Sequence, residues 1–212
     1  YVVQFLVDNT LGRTWFEMMR GETSLKGLDY LVRRQHEAFL AEGADVPEDR
    51  DGVGLGESQE HPFPVSFRAK KDPRDLKILD PACGSGHFLL YTFDLLLTVY
   101  EEAWQDAGAA PSEMSGTTLR ADYPELEALR NAAPGLILRH NLHGIDIDSR
   151  AAQIAALALW LRAQRAFQEA ELSRTQRPAV AKTNIVVAEP MPGEVDLRRA
   201  FVATLESKLG KL

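Results

Sequence analysis

The sequence predicts an α/β fold, and three stretches carry that prediction. Ile78-Leu79, the Ile145 region and Ile185-Val186-Val187 are short apolar runs that read as buried strands, and each leads to a carboxylate, at Asp80, Asp146 and Glu189. Long segments with apolar residues at helical spacing lie between them. The first run also passes into a glycine turn, Gly84-Ser85-Gly86, and then into a helix. Strand, glycine turn and helix form the opening unit of a nucleotide-binding α/β fold.

In chain order, Tyr1 to Asp8 reads as a helix with apolar residues on most faces. It is already under way at the first residue, as in a piece cut from something larger. Asn9 to Arg20 continues or restarts it, with Leu11, Trp15, Met18 and Met19 at helical spacing, and such a Trp/Met stripe reads as core. Leu28 to Leu40 reads as a further helix. Glu42 to Glu60 is polar and Gly-rich and reads as a surface loop, its acids a solvated face rather than a metal site. Pro62 to Phe67 reads as a short edge strand, given its prolines. Residues 1–75 are thus a helical and loop segment ahead of a core at 76–212.

In that core, the helix after the turn runs to about Gln105, with Phe88, Leu89, Tyr91, Leu95, Leu96 and Val99 as its apolar positions. Ala107 to Pro124 is irregular. Pro124 to Arg130 begins another helix, with Leu126 and Leu129 inward, and Pro134-Gly135 breaks it. The stretch near 107–140 exceeds an ordinary connection and reads as an insertion decorating the fold. Ser149 to Glu171 is amphipathic: Ile154, Ala155, Ala158 and Leu161 form its apolar face, Leu157 and Trp160 widen it, and Trp160 reads as a buried anchor. Val195 to Leu209 finishes as a helix.

The turn limits the ligand. Without a Cβ, glycine lets the chain bend tightly and a ligand approach the backbone. Amides at a helix N-terminus favour a carboxylate or phosphate. A P-loop needs Lys-Ser/Thr after its last glycine, and His87-Phe88 stands there instead. A dinucleotide fingerprint needs a third glycine, where Leu89 stands. A carboxylate at the end of the second strand suits a ribose, whose two hydroxyls its oxygens can accept. Asp146 takes that role, and Asp148 caps the next helix. Both acids as helix caps is the plain alternative, as a surface turn residue is for Glu189. Cys83 reads as a small residue packed under the loop.

Asp80-Pro81-Ala82-Cys83-Gly84-Ser85-Gly86 resembles the first motif of S-adenosylmethionine-dependent methyltransferases. Extended to Phe88, it is similar to the amino-methyltransferases that act on adenine N6 in DNA. Together with Gly144-Ile145-Asp146-Ile147-Asp148 and the stretch Asn184 to Gly193, it resembles the large adenine-specific enzymes of phage defence, of the bacteriophage-exclusion and phage-growth-limitation type. The likeness runs through the whole chain. It implies a Rossmann-like methyltransferase fold, of which this chain holds the cofactor half of a doubly wound sheet. It implies S-adenosylmethionine as cofactor, bound by Asp80, Pro81, Ala82, Cys83, Gly84, Ser85, Gly86 and Phe88, with Asp146 on the ribose and Ile147 beside it. Glu189 would accept from the adenine amino group, with Pro190 and Met191 against the ring.

The implied reaction is an SN2 transfer of a methyl group from a sulfonium to a flipped adenine in double-stranded DNA, carried out by the full-length parent, with other phage-defence subunits as its company. One departure matters. The family's [N/D]-P-P-[Y/F] tetrapeptide, which holds the target base, is absent from this sequence. Glu189-Pro190-Met191-Pro192 has neither its amide nor its aromatic ring and follows the third strand, so it is no substitute. No catalytic residue is assigned. The chain is expected to bind cofactor without methylating alone, with the substrate half beyond Leu212 and a Thr-Pro segment before Tyr1. Two other readings stand beside this one: a methyltransferase of protein, RNA or small molecules, and a cofactor-free Rossmann-like interaction module.

Composition sets the outer bounds. The chain has 212 residues, 45% hydrophobic and 26% charged, enough for one domain with a real core. No apolar run approaches the roughly 18 residues that span a bilayer, and no signal peptide is visible. A single cysteine excludes an internal disulfide framework and suits the cytoplasm. The five histidines show no metal-ligand spacing. A net charge of −7 without a basic stripe argues against tight duplex binding by this chain alone.

Overall fold

The computed structural model describes residues 1–44, 62–180, 182–189 and 193–209. Two short helices, α1 (Val2–Val7) and α2 (Arg13–Met18), are joined by a π turn at Asp8–Gly12. The wide turn presents Asp8 and Asn9 to the segment that follows. Asp8 Oδ2 accepts from the Tyr30 amide, and Asn9 accepts from the Val32 amide and donates to the Tyr30 carbonyl. Those bonds replace a helical ladder, so the helix expected over Leu28 to Leu40 does not form. Ser24–Gly27 makes a 3-10 turn, and the chain then extends into β1 (Glu37–Phe39), which pairs in parallel with β2 (Phe63–Val65). The loop expected at 42–60 lies outside the described residues from 45 onward. Trp15 and Met18 are buried, as the helical stripe implied.

A buried polar cluster fixes the entry to the central sheet. Arg74 donates to both oxygens of Asp72, to Asp122 and to the Thr117 carbonyl. Asn141 donates to the carbonyls of Pro73 and Leu76 and accepts from Tyr100. The start of β3 (Ile78–Asp80) is therefore tied to the residue just before β4 (Leu142–Asp146). The sheet has the order β3-β4-β5, all parallel, with Ile78 opposite Leu142 and Asp146 opposite Val187 of β5 (Asn184–Val187).

Helix α3 (His87–Gln105) follows β3 and is buried along Leu89, Phe93, Leu96, Val99 and Tyr100. Full burial of such side chains stabilises by about 1.5–3 kcal/mol each. The 107–140 stretch, expected to decorate the fold, is built into the core. After α4 (Leu119–Asp122), helix α5 (Leu126–Leu136) buries Leu129 and Ala133. Pro134 does not break that helix. It is itself buried, and the chain continues through a π turn, Ile137–Asn141, that seals Ile137 and Leu138. Proline removes one helical bond, and this packing outweighs the loss.

Helix α6 (Ser149–Glu169) connects β4 to β5 and packs with α3 on one face of the sheet. Its buried residues are Ala152, Ala155, Leu159, Ala163, Ala166 and Phe167. The apolar face read from sequence is thus rotated: Ile154, Leu157 and Leu161 are exposed, and Trp160 is 41% exposed rather than a buried anchor. Close approach explains the rotation. A Cβ on Gly86 would lie 3.1 Å from the Ala155 Cβ, so only small side chains fit beneath the turn. The opposite face of the sheet is open among the described residues, with Leu79 and Val186 exposed. α7 (Val195–Leu209) carries Leu197, Phe201 and Leu205 on an exposed stripe.

Candidate functional site

The carboxyl ends of β3, β4 and β5 meet at Asp146. Its backbone carbonyl accepts from the Ala188 amide at 2.8 Å. Its side chain accepts from the Gly84 amide at 2.7 Å and from the Asp148 amide at 2.8 Å. Those two amides, Asp148 first, hold the carboxyl below the usual carboxylate range, so it is ionised near neutrality. Each oxygen spends one acceptor direction on the protein and keeps another. Asp148 accepts from the Arg150 amide and caps α6, as its position predicted. Ile147, between the two acids, is 84% exposed and offers an apolar surface beside Asp146.

The glycine turn lies against this carboxylate. The Cys83 amide donates to the Ile145 carbonyl, which ties the turn to β4. Gly84 and Gly86 have φ of +52° and +88°, a region that costs residues with a Cβ about 1–2 kcal/mol. Above Gly84 a Cβ would meet nothing within 4 Å, so the turn presents bare backbone to open space. The amides of Ser85, His87 and Phe88 have no partner among the described residues, and no side chain caps α3. Asp80 accepts from the Ala82 amide through Oδ1, while its Oδ2 is sealed from solvent without a partner.

The other residues singled out from sequence take varied places. Pro81 and Ala82 are exposed on the turn. Cys83 is buried with its thiol under the loop, and burial, then Asp80 and Asp146, push its pKa up. Phe88 is partly buried and packs against the core. Glu189 lies two residues beyond β5 and is exposed. Pro190 and Met191 lie outside the described residues.

Sequence reasoning missed two contributors. Gly144 sits where a Cβ would fall 2.7 Å from Ile185 Cδ1, 3.0 Å from Leu89 Cδ1 and 3.1 Å from Cys83 Sγ, so strand, turn and helix converge on its missing side chain. The signal was the glycine inside a strand pattern. His87 is the second: its Nδ1 is 3.0 Å from Ser85 Oγ. Cavities of about 570 and 680 Å³ lie between α3, α5 and α6 and beside β2. Neither touches residues 80–88 or 146–148. Among the described residues no cluster of His, Cys, Asp or Glu could hold a metal ion, and no helix is long and apolar enough to cross a membrane.

A parallel sheet with a glycine turn after one strand and a helix-capped acid after the next defines the Rossmann-like class of α/β proteins. Within it, residues 67–190 match the model of the MmeI DNA-methyltransferase domain, and the chain belongs to that family. It is 28% identical over 165 residues, 78% of its length, to the adenine-specific methyltransferase BrxX of Escherichia coli O9:H4 (strain HS). It is also 28% identical over 174 residues to the adenine-specific methyltransferase PglX of Lacticaseibacillus casei (strain Zhang). The matches cover 10% and 11% of those two proteins, so the chain spans about a tenth of the curated relatives it matches.

Proposed function

We propose that this chain is the S-adenosylmethionine-binding part of an adenine-N6 DNA methyltransferase of a phage-defence or restriction-modification system. The observation that carries the reading is Asp146, ionised and pre-aimed by two amides one strand away from an uncapped glycine turn. The turn fits an adenosyl ligand with an amino-acid tail. Open space over Gly84 admits it, free amides suit its carboxylate, and the partnerless Asp80 Oδ2 suits a donor. When bound, the cofactor supplies a methyl group activated on a sulfonium. Asp146 would accept from the sugar hydroxyls, Ile147 would offer an apolar surface to the adenine, and Glu189 would accept from its amino group, with Pro190 following. Pro81, Ala82, Cys83, Ser85 and Gly86 shape the turn, and Phe88 anchors it to the core.

On this reading residues 1–75 precede a cofactor-binding core at 76–212, and the open face of the sheet awaits the second layer of a doubly wound fold. Holding the flipped base falls to an N-P-P-aromatic string that is not among these 212 residues. The chain therefore binds cofactor, and the full-length cytoplasmic parent methylates double-stranded DNA. Equilibrium dialysis with labelled S-adenosylmethionine tests the first half, and transfer of label to DNA by chain and parent tests the second. Retention by the chain with transfer only by the parent is expected. Transfer to protein or RNA but not DNA would reassign the substrate, and no retention would favour a cofactor-free module.

A further inference from the structure

We propose that the outer face of helix α6 is a docking surface for an amphipathic helix of the full-length parent, drawn from outside these 212 residues. The assignment rests on the parent described above and not on the cofactor reading. Ile154, Leu157, Trp160 and Leu161 are 55%, 57%, 41% and 51% exposed. They lie on the side of α6 away from its buried row of Ala155, Leu159 and Ala163. Offsets of three, six and seven residues from Ile154 set them in one stripe about two turns long. A lone exposed leucine is ordinary, but a contiguous apolar patch marks a place where another surface sits. A stripe at this spacing is the kind through which one helix packs on another.

Charge narrows the occupant. The chain as a whole carries −7, yet α6 holds Arg150, Arg162 and Arg165 and a single acid, Glu169, at its last residue. Glu169 pairs with Arg162 and Arg165. Arg150 and Arg165 stand just beyond the two ends of the stripe, so an incoming apolar row with acids at its ends complements the face. A second copy of this chain fits poorly. Two α6 helices paired antiparallel about the stripe would set arginine ends against each other. Four apolar side chains also fall short of the roughly 20–30 residues a side that hold free proteins together. A helix tied to the same polypeptide needs less, because tethering supplies a high effective concentration. The chain spans about a tenth of the curated relatives it matches, which leaves ample polypeptide for the purpose.

The test is photo-crosslinking in the full-length parent, with p-benzoylphenylalanine in place of Trp160. Irradiation is expected to join that residue to a peptide outside these 212 residues, identified by mass spectrometry, in a product that still runs as one polypeptide on a denaturing gel. Leu157→Glu in the same protein should cut the yield about tenfold. The same substitution in the 212-residue chain should move its melting temperature by less than about 2 °C, because there the side chain is on the surface. A link to residues 1–212, a link between two polypeptides, no link, or a yield that Leu157→Glu leaves unchanged overturns the assignment. Cofactor binding plays no part in this readout, so such a failure leaves the cofactor reading standing.

Discussion

The two ends of helix α3 differ in what is done with their hydrogen bonds. At the C-terminal end everything is spent. Glu102 accepts from Trp15 Nε1, from the Thr23 and Ser24 hydroxyls and from the Ser24 amide, and so clamps the N-terminal segment to the helix. Nearby, Tyr100 and Asn141 close the polar cluster around Arg74. At the N-terminal end donors are left over on a turn bent by glycines, with Asp80 and Asp146 as acidic neighbours. First-turn amides that the chain itself does not satisfy are met by water or by a ligand. The contrast separates the part of the chain that makes stability from the part proposed as a site.

Substitutions at each end should break that contrast in different ways. The largest stability loss is expected for Arg74→Ala, which strands the buried Asp72 carboxylate. Denaturant unfolding should show a loss of about 3–5 kcal/mol, with cofactor affinity unchanged in the fraction still folded. Gly86→Ala should cost about 2 kcal/mol, from a positive φ and crowding on Ala155, and unlike Arg74→Ala it should also weaken ligand binding.

Glu102→Gln should cost about 1–2 kcal/mol and leave binding alone. Its pH dependence sharpens the point. Burial pushes the Glu102 carboxyl up, but bonds from Ser24, Thr23 and Trp15 outweigh burial and hold it below its ordinary value of 4.5. A carboxyl lowered in the folded state adds stability that is present above the unfolded value and lost as pH falls through the folded one. The gap between parent and variant should therefore be constant above that ordinary value and close in acid, as urea midpoints across pH would show. The smallest effect concerns Cys83. Its buried thiol, with a raised pKa, should react with iodoacetamide far more slowly than a free thiol.

Much of this was legible in the residues, for stated reasons. A strand ending in a carboxylate and followed by glycines has few structural outcomes, so β3, β4, β5 and the cap at Asp148 could be read directly. The misreadings came where long-range contacts decide. Leu28 to Leu40 has helical spacing, but Asp8 and Asn9, some twenty residues away, draw its start into an extended path. The face of α6 was misjudged because hydrophobicity favours Leu157 and Leu161 as the inner side, while the nearness of Gly86 demands alanine there. Pro134 looked like a stop because its lost bond is local and the packing that offsets it is not.

Asp146 and the glycine turn are proposed to form one ligand site, and one pair of titrations can decide it. S-adenosylhomocysteine titrated into the parent chain should give heat with one site. In Asp146→Ala, with the same far-ultraviolet spectrum, affinity should fall by about a hundredfold. Equal affinity in the two chains, both folded, would contradict the claim.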